Sequence, residues 1–112
     1  MSRSISVGAR QIPIDKEGFL VHLADWDEAV ATALAEQDGI ELTEAHLEVI
    51  RLLRQFYAEF QLSPAMRPMV KYVGLHLGSD KGTSLYLLKL FPGSPAKLAS
   101  KFAGLPKPDN CL

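Results

Sequence analysis

The chain has 112 residues, of which 47% are hydrophobic and 22% are charged, and its formal net charge is −1. This composition is typical of one soluble globular domain, here residues 1–112, and excludes an intrinsically disordered chain. No stretch approaches the roughly 18 to 20 apolar residues of a membrane-spanning helix. The first ten residues lack the apolar core of a signal peptide, and a single cysteine forms no internal disulfide. We therefore expect a cytoplasmic protein.

The first third of the sequence predicts a β-hairpin followed by a helix. Two short β-type runs, SISV and QIPI, are separated by residues 8–10. The DKEG stretch after them is typical of a turn, in which Gly18 would adopt a positive φ. Helical spacing begins at Asp25, and Asp25 with Glu28 resembles a capping box. Gly39 predicts the end of this helix.

Four further helices are predicted from apolar spacing and from residues that start or stop helices. They run from Thr43 to about residue 61, from near Pro68 to Gly78, from Thr83-Ser84 through LYLLKLF, and from Ser94-Pro95 to Gly104. Five helices and one hairpin predict an α+β fold dominated by a helical bundle. The pair of helices within residues 44–77 resembles a helix-turn-helix.

Charge is distributed unevenly along the chain. Residues 1–48 carry three basic and ten acidic side chains, a balance of −7, whereas residues 49–112 carry nine basic and three acidic ones, a balance of +6. One interpretation is a polarised but merely solvated surface. The other is a basic face that meets an anionic partner, either protein or nucleic acid.

The helix-turn-helix-like pair raises sequence-specific DNA binding as an alternative function. Arg67 and Lys71 lie in the first turns of its second helix, and Arg51 and Arg54 lie on its first. Helix pairs are also common packing units, and the chain as a whole is slightly acidic, which argues against DNA binding.

Other catalytic or cofactor-binding patterns are not found in the sequence. His22, His46 and His76 are scattered, without the spacing of metal ligands. The GSDKG stretch is too short for a phosphate-binding loop, and no nucleophile-elbow pattern is present. We therefore predict no metal and no cofactor.

The only thiol lies near the end of the chain, in GLPKPDNCL. Pro106 and Pro108 disfavour helix and favour an extended backbone after Gly104, so residues 105–112 are predicted to be a mobile arm that carries Cys111. Cys111 could be a terminal cysteine without a function. Alternatively, the arm presents its sulfur to the active site of another protein.

Such a thiol needs activation before it can act as a nucleophile. A free cysteine has a pKa of about 8.5, so only a few per cent is thiolate at neutral pH. The carboxylates of Asp109 and of the chain end disfavour the thiolate further. Activation would come from the site of a partner or from basic residues of this chain. The candidates for docking the arm or stabilising its thiolate are Arg67, Lys97, Lys101 and Lys107.

Four stretches resemble the DsrC/TusE family of sulfur-relay proteins over nearly the full length of the chain. They are DKEGFL, GIELTEAHLEVIRLLRQFY, SPAMRPMVKY and LFPGSPAKLASKFAGLPKPDNCL. The last is the most specific, because the family ends in a proline-containing arm with a penultimate cysteine, here Cys111. The resemblance implies a helical bundle with an N-terminal hairpin, which agrees with the elements predicted above.

The family divides by its number of cysteines. Members from dissimilatory sulfur metabolism carry a second cysteine eleven residues before the last, where this chain has Ser100, predicted to lie late in the fifth helix. The single-cysteine pattern resembles the TusE-like branch. That resemblance implies a sulfurtransferase whose Cys111 accepts persulfide sulfur from a TusBCD-like donor complex. The sulfur would pass to an MnmA-like tRNA thiolase with its tRNA, for 2-thiouridine at the wobble position. A regulatory single-cysteine relative is the alternative.

Overall fold

The computed structural model describes residues 3–109, in which an antiparallel hairpin precedes five α-helices. The elements are β1 (Arg3–Val7), β2 (Arg10–Ile14), a 3-10 helix (Leu23–Asp25), α1 (Glu28–Gln37), α2 (Glu44–Phe60), α3 (Met66–Leu77), α4 (Ser84–Leu90) and α5 (Pro95–Phe102). This arrangement confirms the predicted α+β fold and its five helices.

The hairpin has one buried and one exposed face, because its side chains alternate in period two. Ile5 pairs with Ile12 across the two strands, and both are buried together with Val7 and Ile14. This apolar face contacts α1. In the turn that follows, Gly18 has a φ of +90°, which confirms the positive φ predicted for it.

The N-cap of α1 is Asp27, so the predicted cap at Asp25 is wrong. The Asp27 carboxylate accepts a hydrogen bond of 2.9 Å from the backbone N–H of Val30, whereas Asp25 belongs to the preceding 3-10 helix. Trp26 separates the two helices with an extended backbone. Both aspartates have the chemistry of a cap, and the position of the 3-10 helix decides between them.

The start of α2 is fixed by a reciprocal hydrogen-bond pair between Thr43 and His46. The Thr43 backbone N–H donates to His46 Nδ1 over 3.0 Å, and Thr43 is the N-cap, as predicted. Since Nδ1 accepts that bond, Nε2 carries the proton and donates to the Leu90 carbonyl at 2.8 Å. His46 therefore joins α2 to the end of α4.

The core is built around α5, which contacts α1, α2, α3 and α4. Its residues Ala99 and Phe102 are fully buried, against Val49, Ile50 and Leu53 among other core residues. Burial of this apolar face is the main stabilising contribution. The helix that leads into the C-terminal arm is thus the most enclosed of the five. Within residues 3–109, no helix is long and apolar enough to cross a membrane.

Candidate functional site

Cys111, the predicted sulfur-carrying residue, lies outside the described residues, and its role stays a prediction. The segment that leads to it is described. We call residues 102–109 the arm root, because they connect the buried end of α5 to the last residues of the chain. α5 ends at Phe102, and Gly104 has a φ of +72°, which confirms the predicted end of this helix at Gly104.

Trp26 holds the first residues of the arm root. Its indole Nε1 donates a hydrogen bond of 2.8 Å to the Phe102 carbonyl, one of the carbonyls left without an intrahelical partner at the end of α5. Gly104 packs directly on the indole. A Cβ atom at position 104 would lie 2.4 Å from Trp26 Cδ1, so only glycine fits there.

Arg54 of α2 also holds the first residues of the arm root. Its Nη1 donates to the Ala103 carbonyl over 2.7 Å, and its guanidinium carbon lies 4.0 Å from the centre of the Trp26 ring. A cation at the C-terminal end of α5 also opposes the negative end of the helix dipole. Partial burial lowers the pKa of Arg54, although an arginine stays protonated at any physiological pH.

The middle of the arm root is held by the loop between α2 and α3. Ser63 Oγ donates a hydrogen bond of 2.5 Å to the Pro106 carbonyl. Leu105 and Pro108 are both buried, although they belong to the segment that was predicted to be an arm. The first part of the predicted arm is therefore packed on the bundle. Mobility of residues 105–112 stays a prediction.

Two of the candidate docking lysines meet at one carboxylate. Glu17, in the turn after β2, forms ion pairs with Lys107 at 3.1 Å and with Lys97 at 3.3 Å. The hydrogen bond from Lys107, followed by that from Lys97, lowers the pKa of Glu17. Lys107 is thereby tied to the turn that begins at Asp15.

The third candidate lysine is packed into the bundle rather than presented to solvent. Lys101 is 8% exposed, its Nζ lies 3.1 Å from an Asp38 carboxylate oxygen, and it sits 5.7 Å from the centre of the Phe19 ring. The structure therefore brings Lys97, Lys101 and Lys107 together near the 15–19 turn. The fourth candidate, Arg67, is exposed in the first turn of α3, and no contact among the described residues joins it to that group.

Ion pairs across the fold explain most of the charge asymmetry along the sequence. Five of the nine basic residues in positions 49–112 pair with acidic residues of positions 1–48. These five are Arg51, Lys81, Lys97, Lys101 and Lys107. The two halves of the chain thus neutralise much of each other's charge, and the cations left without an ion pair within residues 49–109 are a minority.

Ser100 lies near the end of α5, as predicted, and is fully buried. Its hydroxyl oxygen finds no hydrogen-bond partner within the described part of the chain. A buried hydroxyl without a partner costs about 1–3 kcal/mol of stability. The position at which the family resemblance implies a second cysteine in some members is thus an enclosed site two residues before the arm root.

We expect Ser100→Ala to raise the free energy of unfolding by about 1 kcal/mol, because it removes the cost of an unpaired buried hydroxyl. Urea denaturation followed by circular dichroism measures the change. Ala58→Ser, on the exposed surface of α2, is a control for the difference in helix propensity between the two residues. A loss of stability in Ser100→Ala would show that the hydroxyl bonds to a group beyond residues 3–109.

Comparison with known proteins places this fold and arm in a family. The family model described as DsrC like protein matches residues 6–112. Sulfurtransferase TusE of Yersinia pseudotuberculosis is 53% identical over 103 residues, which cover 92% of this chain and 95% of that protein. The NMR structure of Allochromatium vinosum DsrC is 49% identical, with a TM-score of 0.91 and full coverage of both chains.

A crystal structure extends the likeness to a more distant relative. The oxidized gamma-subunit of the dissimilatory sulfite reductase (DsrC) from Archaeoglobus fulgidus is 38% identical, with a TM-score of 0.85, over 98% of this chain and 100% of that one. The shared architecture is thus a hairpin and five helices, of which the last is central and buried. The chain belongs to the DsrC/TusE family.

Proposed function

We propose that the chain is a cytoplasmic sulfur carrier that accepts persulfide sulfur on Cys111 and relays it toward 2-thiouridine synthesis at the tRNA wobble position. Relatives that are named sulfurtransferases support a role in sulfur transfer. The observation that carries the carrier mechanism is the arm root, in which a buried helix and four side chains from other elements hold the segment leading to the only thiol.

The chemical step is a transfer of one sulfur atom between two thiols. The Cys111 thiolate attacks the outer sulfur of a donor cysteine persulfide, R–S–SH. A new S–S bond forms at Cys111, the S–S bond of the donor breaks, and the donor leaves as R–S⁻. The products are Cys111–S–SH and the donor thiolate, and no external oxidant or reductant is consumed.

Activation of the Cys111 thiol is a task for the partner in this proposal. Lys97 and Lys107 already share Glu17, and Lys101 is paired with Asp38. An ammonium group in an ion pair stabilises a nearby thiolate less than a free one does, because its charge is already compensated. A donor or acceptor that encloses the end of the arm would supply the positive charge or the general base.

The partners in this proposal are a TusBCD-like donor complex and an MnmA-like thiolase with its tRNA, as the family resemblance implies. The alternative of a DNA-binding regulator loses part of its basis. On the first helix of the helix-turn-helix-like pair, Arg51 pairs with Glu28 and Glu44, and Arg54 binds the arm root. Neither cation is free to contact phosphate.

We expect the wild type, incubated with inorganic polysulfide, to gain the mass of one sulfur atom that a reductant removes. Cys111→Ser should gain nothing, because no other thiol is present in the chain. Intact-protein mass spectrometry measures the adduct. The same variant should fail to restore 2-thiouridine in a strain that lacks the native gene. Asp109→Asn is a control that alters the arm and keeps the thiol.

Two outcomes would contradict this proposal. An equal adduct on Cys111→Ser would show that sulfur is held elsewhere, and the carrier mechanism would be wrong. Normal tRNA thiolation with Cys111→Ser would show that Cys111 is not needed for 2-thiouridine synthesis. Persulfide loading of Cys111 would then still hold, but its role in the tRNA pathway would be wrong.

A further inference from the structure

Three cations of positions 49–112 remain unpaired after the ion pairs and the arm root are accounted for. They are Arg67, Lys71 and Lys89, and none of them has an ion-pair or hydrogen-bond partner among residues 3–109. Arg67 and Lys71 are on α3, and Lys89 is on α4. The helices themselves contain no carboxylate, since the only acidic residue between positions 60 and 108 is Asp80, in the loop that joins them.

Large exposed apolar side chains occur on the same two helices. Leu75 of α3 is 74% exposed, and Leu85 and Leu88 of α4 are 66% and 40% exposed. Arg67, Lys71 and Leu75 are spaced four residues apart, which places them in one row along α3. The row combines two cations that have no partner within residues 3–109 with the most exposed large apolar side chain of that range.

The start of α4 is anchored to α3 by one close backbone contact. A Cβ atom added at Gly82, just before α4, would lie 2.3 Å from the Gly74 Cα in α3, so the backbones touch there. Leu75 follows this contact directly, and Leu85 comes three residues after Gly82. We call the set of exposed residues on these helices the α3–α4 face; its members are Arg67, Lys71, Leu75, Leu85, Leu88 and Lys89.

The α3–α4 face begins next to the arm root. Ser63, whose hydroxyl binds the Pro106 carbonyl, is followed three residues later by the first residue of α3. A protein seated along α3 would therefore lie beside the segment that leads to Cys111. Such a partner would contact the α3–α4 face and the arm root together.

We propose that the α3–α4 face is the docking surface for an acidic protein with an apolar centre, and that this protein is the persulfide donor of the relay. The inference rests on the proposed function. Carboxylates on the partner would complement the three cations, and apolar side chains would complement the leucines. Nucleic acid fits less well, because its contacts with proteins are made largely through phosphate and sugar, which complement the cations better than the three exposed leucines.

The experiment measures persulfide transfer from the purified TusBCD-like donor complex to the carrier, with the carrier concentration varied. We expect Lys71→Glu and Leu75→Ser each to raise the KM for carrier about tenfold or more, with kcat little changed. Loading of the same variants by inorganic polysulfide should equal that of wild type, because this reagent needs no docking surface. Val21→Ser is the control, since Val21 is 53% exposed and lies outside the face.

Salt gives a second readout that a folding defect would not produce. For wild type, KM should rise with NaCl concentration, and this dependence should weaken in Lys71→Met. Leu75→Ser should keep the salt dependence of wild type. A salt dependence of KM that weakens on replacing Lys71 but not on replacing Leu75 supports a contact that is both electrostatic and apolar.

Three results would overturn the inference or its basis. Normal polysulfide loading with unchanged KM values in both variants would overturn the docking face alone. A wild type that polysulfide cannot load would overturn the proposed function itself. Binding of tRNA or duplex DNA, measured by fluorescence anisotropy, that is lost in Lys71→Glu and kept in Leu75→Ser, with donor KM unchanged, would assign the cations to nucleic acid instead.

Discussion

Gly104→Ala is expected to lower the free energy of unfolding by about 3 kcal/mol. The residue has a φ of +72°, which an alanine adopts only at a cost, and its added Cβ would lie 2.4 Å from Trp26 Cδ1. Trp26 cannot easily move away, because its indole N–H is bonded to the Phe102 carbonyl. Chemical denaturation at neutral pH measures the loss.

Gly39→Ala separates the two causes of that loss. Gly39 has nearly the same φ, +73°, but no atom lies within 4 Å of an added Cβ. It should cost only about 1–2 kcal/mol from backbone strain. Equal losses in the two variants would show that the indole can move aside at no cost. The close packing of Gly104 on Trp26 would then not contribute to the free energy of unfolding.

Sequence reasoning succeeded where the cause of a feature is local. Thr43 caps α2 and Gly104 ends α5 because a side-chain oxygen or a positive φ acts within three or four residues of its position. The same reasoning chose Asp25 over Asp27 as the cap of α1. Both are aspartates close to the helix start, and the 3-10 helix that decides between them leaves no distinct local pattern.

The arm root was missed because its contacts join residues far apart in the chain. Trp26 and Phe102 are 76 residues apart, and Arg54 and Ala103 are 49 apart. The spacing of apolar residues along the sequence cannot show that the Trp26 indole N–H donates to a carbonyl of α5. The uneven charge along the sequence was the one usable signal, since acids in one half and bases in the other predict pairing between them.

The pairing also changes what the candidate residues can do. From sequence, Lys97, Lys101 and Lys107 were candidates for docking or for stabilising a thiolate, on equal terms with Arg67. In the structure the three lysines are bound to Glu17 and Asp38, and of the four candidates only Arg67 has no ion-pair partner among residues 3–109. Charge that holds the arm root is thus separated from charge that is available to a partner.

Arg54→Met is expected to lower the free energy of unfolding by about 2 kcal/mol. It removes the charge-assisted hydrogen bond to the Ala103 carbonyl and the contact of the guanidinium with the Trp26 ring, while the apolar stem of the side chain is retained. Arg67→Met is the matched control. That arginine is exposed and without a partner in the described chain, so its loss should change stability by less than about 0.5 kcal/mol.

Arg54→Lys tests whether the geometry of the guanidinium or its charge alone matters. A lysine ammonium is not planar, so it can bond to the carbonyl or lie over the ring but cannot do both. We therefore expect Arg54→Lys to lower the free energy of unfolding by about half as much as Arg54→Met does. Trp26→Phe, which keeps a ring and loses the N–H donor, completes a double-mutant cycle with Arg54→Met. Strictly additive losses would show that the two side chains hold the arm root independently. A coupling of about 0.5–1 kcal/mol is expected instead, because the guanidinium rests on the ring that it helps to position.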